Sequence, residues 1–215
     1  MHLSWFGLSA FRIETKGAVV VTDPFHPQMT KKPLRAKADI VTVSDPDNPA
    51  HNYLGGIQGE FFLIDHLGEF EVKGVFIRGI ASQEKGSDAS GRERAATIFA
   101  FDCEGVRLVH LGDLRAVPPN GVLERLDGVD VLFVPVGGNV TLDAEGAVRI
   151  INNIEPRLVV PMHFAQEGTT AEGKLAPLSV FLKEMGASRA TPVDRLLLKK
   201  RDLSTEETRV VVFHP

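Results

Sequence analysis

The chain has 215 residues, 43% hydrophobic and 24% charged, enough to bury a substantial core in one domain, which we place at residues 1–215. Its 24 basic and 28 acidic residues give a formal charge of −4, which offers no general attraction for nucleic acid or for anionic membrane surfaces. Since the N-terminal segment lacks a basic signal-peptide region, no apolar run approaches the ~20 residues of a membrane span, and one cysteine cannot form an internal disulfide, we expect a cytoplasmic protein.

Short runs rich in Val, Ile and Phe recur through the first two thirds of the chain and are typical of β-strands. They cover Phe11–Glu14, Ala18–Thr22, Ile40–Ser44, Val75–Ile80, Thr97–Asp102 and Val106–His110. Lys73-Gly74 and Glu104-Gly105 lie between paired runs, where a glycine supplies the positive φ of a tight turn. These two positions predict β-hairpins.

The hydrophobic period changes in the last third of the chain. Apolar residues fall at helical spacing from Ala147 to Ile154, behind Asp143 as the predicted N-cap, and again from Leu178 to Met185. Further strand-like runs are Arg157–Pro161, Leu196–Leu198 and Arg209–Phe213. Hairpins followed by alternating strands and helices predict an α/β protein with two packed sheets, or one large mixed sheet, and helices outside.

Three of the strand-like runs end in polar clusters. The clusters are Asp45–Asn52, His110–Asp113 and Pro161–His163. Rigid strands can aim side chains from distant sequence positions at one point, so His51, Asp113 and His163 are expected to converge. Singly, a histidine beside a strand is more often a hydrogen-bonded core residue, but the three together form a stronger signal.

Several short motifs occur in one order along the chain. They are Trp5–Phe11, Thr22–Phe25, Ala38–Ser44, Gly68–Val72, His110–Leu114, Val134–Gly138 and Pro161–Phe164. With these motifs the chain resembles the metallo-β-lactamase fold, in particular its L-ascorbate-6-phosphate lactonase-like branch of small bacterial metal-dependent hydrolases. The resemblance implies an α/β fold of the four-layer αββα sandwich type, with a metal site at one edge.

Members of that family build the site from an H-x-H-x-D-H motif, a later histidine, a bridging aspartate and a final histidine. Here His51 matches the last histidine of the motif, and the other three motif positions hold Pro46, Asn48 and Ala50. Proline and alanine cannot ligate a metal, and asparagine is a weak oxygen ligand.

Other departures occur elsewhere in the pattern. Leu8 stands where the family carries a histidine in Gly-His-Ser, and either Gln83 or Glu84 stands where it carries the later histidine. Asp23-Pro24 resembles a family position that shapes the floor of the site, although Asp-Pro is also ordinary turn chemistry. The metal motif is therefore interpreted as degenerate.

The resemblance implies a site with two metal positions. When the family ligands are matched to this chain residue by residue, the first position keeps only Asp113. The second position keeps His51, Asp113 and His163, a set that suits one zinc, iron or manganese ion with an open place for water. Asp113 is the predicted catalytic residue. The same side chains could instead hydrogen-bond their neighbours with no metal at all.

Two hypotheses follow. The first is a degenerate hydrolase-like protein that holds at most one metal and slowly hydrolyses a small ester, lactone or phosphate-bearing substrate. The alternative is a metal-free pseudoenzyme that acts as a small-ligand-binding or protein-interaction module, since Leu8, Pro46 and Ala50 make the cleft apolar. Either way the expected partner is a small molecule, and homo-oligomerisation stays open.

Overall fold

A computed structural model of the chain describes residues 1–83, 96–169, 175–203 and 207–214. In these ranges the strands are β1 (His2–Gly7), β2 (Ala10–Glu14), β3 (Val19–Thr22), β4 (Ala36–Lys37), β5 (Ile40–Thr42), β6 (Ile57–Gln58), β7 (Phe62–Ile64), β8 (Gly68–Val72), β9 (Val75–Ala81), β10 (Thr97–Cys103), β11 (Val106–His110), β12 (Val131–Pro135), β13 (Leu158–Met162), β14 (Leu196–Leu197) and β15 (Arg209–Val210). The α-helices are α1 (Asn120–Leu123), α2 (Ala144–Ile154) and α3 (Leu178–Glu184).

The strands form two large sheets and one small one. The first large sheet has the spatial order β14-β1-β2-β3-β5-β7, and the second has the order β15-β13-β12-β11-β10-β9-β8. Strands β4 and β6 pair separately. The prediction of two packed sheets in a mixed α/β fold is confirmed.

The predicted hairpins occupy one side of the second sheet. Strand β8 pairs antiparallel with β9, and β10 pairs antiparallel with β11. In the first turn Lys73 and Gly74 both have positive φ, as Glu104 and Gly105 do in the second. Two successive positive φ values are those of the type I′ turn, whose twist matches that of the flanking strands.

The main core lies between the sheets, where side chains from alternate strand positions meet. The ring centroids of Phe11 on β2 and Phe133 on β12 are 4.6 Å apart, and both residues are fully buried. On β3 and β5 the alternate residues Val21 and Val41 join a second apolar cluster, which includes Phe25. Both faces of the first sheet are therefore covered, which explains its unbroken apolar runs.

The two longer helices begin and end as the sequence indicates. Asp143 caps α2, since its side chain accepts a hydrogen bond from the Gly146 N–H (2.8 Å). Ala147 and Ile150 on that helix are fully buried in the main core. Gly186 follows α3 with a positive φ. In the described residues no helix is long and apolar enough to cross a membrane.

The parallel part of each sheet decides where a site can form. Strands β3, β5 and β7 run parallel in the first sheet, as do β11, β12, β13 and β15 in the second. The carboxyl ends of parallel strands meet at one edge of a sheet, where ligands commonly bind in open α/β sheets.

Candidate metal centre

The predicted site residues follow the carboxyl ends of three parallel strands. His51 belongs to the loop after β5, Asp113 lies three residues beyond β11, and His163 comes directly after β13. The imidazole rings of His51 and His163 are stacked, with centroids 5.2 Å apart. Nε2 of His51 lies 3.6 Å from Oδ1 of Asp113. The structure therefore brings together three side chains that are far apart in the sequence.

Asp23 orients the His51 ring through a hydrogen bond. Its Oδ2 accepts a hydrogen bond from Nδ1–H of His51 (2.8 Å), and both of its oxygens accept bonds from Ser44, through the backbone N–H (2.7 Å) and the hydroxyl (2.6 Å). A carboxylate on one imidazole nitrogen fixes the tautomer and leaves the other nitrogen for a metal. The position read as the floor of the site therefore orients a candidate ligand.

Ser9 supports the second histidine. A hydrogen bond of 2.9 Å joins its hydroxyl to Nδ1 of His163, and its carbonyl accepts from Nε2–H of His110 (2.9 Å). Nδ1 of His110 accepts from the Gly112 N–H (3.2 Å), so both of its ring nitrogens are engaged. His110 is therefore a positioning residue rather than a free donor.

Asp113 already has a cationic partner. The Arg115 guanidinium donates to Oδ2 of Asp113 through Nη2 (2.8 Å) and Nε (3.3 Å). The side-chain amide of Asn48 faces the same oxygen at 3.3 Å, because its own oxygen accepts from the Ala50 N–H (3.0 Å). Asn48 thus offers this carboxylate an N–H donor, and its oxygen is occupied within its own turn.

The charges in this cluster are strongly coupled. Burial opposes a charged imidazole, but the carboxylates of Asp23 and Asp113 outweigh it and raise the pKa of His51 to about 10. Although burial opposes the Asp113 carboxylate too, His51 and Arg115 hold its pKa well below the ordinary value. Burial and the charge of His51 lower the pKa of His163 to about 3. The two carboxylates therefore favour a proton on Nε2 of His51 while no metal is bound, and a metal ligated at that atom would displace this proton.

Three residues at the site have left-handed backbone conformations without being glycine. The φ angles are 49° at Leu8, 40° at Asp23 and 52° at His163. Such a conformation costs a non-glycine residue about 1–2 kcal/mol. Strain of this kind persists where the surrounding structure fixes it and clusters at functional sites, so it favours a function for this edge of the sheets.

Two glycines allow the site loops to approach one another. A Cβ on Gly112 would overlap the Ser44 side chain and lie 2.9 Å from the Thr97 carbonyl oxygen. A Cβ on Gly137 would overlap the carbonyl oxygen of His163. Gly112 thus holds the Asp113 loop against Ser44, whose hydroxyl accepts from the Asp113 N–H (3.2 Å).

The substitution Gly112→Ala is expected to lower the free energy of unfolding by about 1–3 kcal/mol more than Gly186→Ala does. Both glycines have φ near +60°, but a Cβ on Gly186 would meet no atom within 4 Å. The control therefore carries the same backbone strain without the clash. Urea unfolding of the two variants measures the difference, and equal losses would mean that close packing against Ser44 is not required.

The residue types at the site match one metal ion better than two. Nε2 of His51 is buried, and no residue in the described ranges makes a hydrogen bond to it, an arrangement that costs about 1–3 kcal/mol and that a bound cation would relieve. Two imidazoles and a carboxylate are the donors of a single catalytic zinc, whereas Pro46 and Ala50 offer no side-chain donor to a second ion.

In their present positions these donors do not form a complete metal site. Within residues 1–83, 96–169, 175–203 and 207–214, no group of three or more His, Cys, Asp or Glu side chains could hold a metal ion as it stands. Arg115 holds Oδ2 of Asp113, and Oδ1 is the oxygen that faces His51. Of the two candidates for the later histidine position, Gln83 is half-buried and Glu84 lies outside the described residues.

Comparison with known proteins places these features in a family. The model of the Beta-lactamase superfamily domain matches residues 2–163. A UPF0173 protein of Pyrococcus abyssi is 30% identical over 199 residues, which cover 80% of this chain and 88% of that protein. A UPF0173 metal-dependent hydrolase of Carboxydothermus hydrogenoformans is 27% identical over 192 residues, which cover 76% and 84%.

Solved structures agree with the fold. A crystal structure from Thermotoga maritima, of a protein assigned to the Zn-dependent hydrolases of the metallo-β-lactamase superfamily, superposes with a TM-score of 0.79 at 30% identity and covers 99% of this chain and 98% of that one. A metallo hydrolase of Ignicoccus hospitalis, 20% identical, has a TM-score of 0.66 and covers 92% and 99%. The sandwich fold expected from the resemblance is thereby confirmed.

Proposed function

The chain belongs to the Beta-lactamase superfamily domain family, and from that premise we propose that it is a metal-dependent hydrolase with a single metal ion bound by His51, Asp113 and His163. The observation that carries this proposal is the buried Nε2 of His51, which has no hydrogen-bond partner among the described residues and lies 3.6 Å from the Asp113 carboxylate. An imidazole held in this way by Asp23 presents its other nitrogen to a ligand.

A metal bound there supplies Lewis acidity, polarising a carbonyl or phosphoryl oxygen and lowering the pKa of bound water to about 7. The residues of the chain supply the positioning. Asp23 keeps the His51 proton on Nδ1, and Ser9 holds Nδ1 of His163, so that both Nε2 atoms remain available. Asp113 has the catalytic role in this proposal, because its carboxylate would hold the ion beside the reacting bond.

The proposed substrate is a small ester, lactone or phosphate-bearing molecule. This part of the proposal rests on the resemblance to the lactonase-like branch, on the single-ion donor set and on the net charge of −4, which does not favour nucleic acid. One ion in place of two would leave one of the two charge-stabilising positions to protein groups, so we expect slow hydrolysis.

The metal-free binding module is the alternative. Relatives named metal-dependent hydrolases give it no support. Two observations favour it: the ion pair between Arg115 and Asp113 compensates the carboxylate without a metal, and no group of ligands in the described residues is already arranged to hold one. Metal titration decides between the two.

We expect the chelator-treated protein to bind one zinc, iron or manganese ion per chain, and the variant His163→Ala to lose this binding. Isothermal titration with each metal, followed by elemental analysis after dialysis, measures the stoichiometry. The matched control is His66→Ala, which removes an exposed histidine that pairs with Asp65 outside the site. Absence of uptake near stoichiometry for every metal would overturn the proposal, and so would two ions per chain.

A further inference from the structure

A cleft of about 480 Å³ lies next to Arg115, the ion-pair partner of Asp113. Arg115 forms one wall, and the start of α2 with Arg149 forms the other. The volume lies within the range of small-molecule sites, which is about 300–1,000 Å³. Because Arg115 also contacts Asp113, the cleft is continuous with the candidate metal centre through one side chain.

Two arginines and one carboxylate line the cleft. Arg149 is exposed, and its side chain makes no hydrogen bond or ion pair with any residue in the described ranges. Arg115 donates hydrogen bonds to Asp113 through Nε and Nη2, so its Nη1 can donate to another acceptor. The one carboxylate among the lining residues belongs to Asp143, and it is engaged as the cap of α2 through the Gly146 N–H.

We propose that Arg115 and Arg149 bind the carboxylate or phosphate group of a small anionic substrate. A guanidinium presents a planar fork of N–H donors that matches a carboxylate or a phosphate. Two guanidinium groups that line one cleft could bind a single anion placed between them. The reacting bond of the substrate would then lie toward Asp113. This last step rests on the proposed hydrolase function, whereas the binding of the anion does not.

The test uses the full chain after chelation, with inorganic phosphate and succinate as separate probes at low ionic strength. Isothermal titration is expected to show saturable binding of one anion per chain. Arg149→Met should weaken that binding by about tenfold or more, since it removes a charge-assisted hydrogen bond and keeps the methylene stem. Tighter binding of phosphate than of succinate would identify a phosphate-bearing substrate, and the reverse order a carboxylate.

Arg189→Met is the control, because Arg189 is exposed and does not line the cleft. It should bind both probes like the unmodified protein. The inference is overturned if neither probe binds, or if Arg149→Met binds as tightly as the control. Zinc titration of the same samples separates the two proposals: intact zinc binding without anion binding removes this inference alone, and anion binding without metal uptake removes the hydrolase function alone.

Discussion

Replacing Asp23 by asparagine is expected to destabilise the protein and to weaken metal binding at the same time. The amide has one oxygen, which the Ser44 N–H requires, so its NH₂ group would face Nδ1 of His51. His51 would then have to accept at Nδ1 and carry its proton on Nε2, the atom proposed to bind the metal. We expect a loss of about 3–5 kcal/mol in the free energy of unfolding, since the substitution removes one partner of the buried Asp23–His51 pair.

The same variant should bind zinc about 10–100-fold more weakly. Urea unfolding and zinc titration measure the two effects independently. The matched control is Asp65→Asn, because Asp65 also pairs with a histidine, His66 (3.0 Å), but on the exposed surface. That control should change stability by no more than about 1 kcal/mol. Unchanged zinc affinity in Asp23→Asn would mean that Nε2 of His51 is not a ligand and that Asp23 serves the fold alone.

Replacing Arg115 by methionine is expected to tighten zinc binding. The Arg115 guanidinium holds Oδ2 of Asp113 at 2.8 Å, so its positive charge opposes a cation bound to the same carboxylate. Removing that charge should raise zinc affinity by about tenfold or more. The metal-free variant should melt at a lower temperature, because the buried Asp113 carboxylate loses a counter-charge. Zinc should then raise its melting temperature by more than it raises that of the unmodified protein.

Arg107→Met is the control for this effect. Arg107 forms a comparable ion pair with Asp102, with Nε 2.8 Å from Oδ1, on a different part of the second sheet. Its removal should leave zinc affinity unchanged. If Arg115→Met instead binds zinc more weakly, Arg115 supports the metal site, and the prediction that guanidinium and metal compete for Asp113 is wrong.

The strands and the convergence of the site were within reach of the sequence, because both depend on local patterns. Apolar runs such as Ile40–Ser44 predict buried strands, and the glycines at 74 and 105 predict the turns between paired strands. The three polar clusters follow strand ends, which predicts the approach of His51, Asp113 and His163; since β5 lies in the first sheet and β11 and β13 in the second, the packing of the two sheets completes it. Their role as metal ligands stays a prediction.

Other elements carry weaker patterns. Strand β12 is five buried residues without alternation, a run that periodicity cannot distinguish from a segment of buried helix. Strand β1 alternates between buried and half-buried residues, but its half-buried Phe6 and buried Gly7 break the alternation of polar and apolar side chains. Both strands were missing from the predicted elements for these reasons.

Arg115 and Asp23 show why the support of a site is harder to predict than its candidate ligands. An arginine two residues after an aspartate gives no signal, because i and i+2 side chains meet only when a loop turns them together. The contact of Asp23 with His51 spans 28 residues and depends on the parallel register that pairs Thr22 with Thr42. Such contacts are properties of the assembled sheets.

The hydrogen bond from the His163 N–H to the Leu8 carbonyl (3.1 Å) joins the end of β13 in the second sheet to the turn after β1 in the first. Ser44 makes a second bridge, since its carbonyl accepts from the Thr97 N–H (2.9 Å) at the start of β10. Because His51 follows a strand of the first sheet, whereas Asp113 and His163 follow strands of the second, we expect the complete centre to form only when the two sheets pack together. Slow amide exchange at His163 and Thr97 would then report the cooperativity of the whole domain.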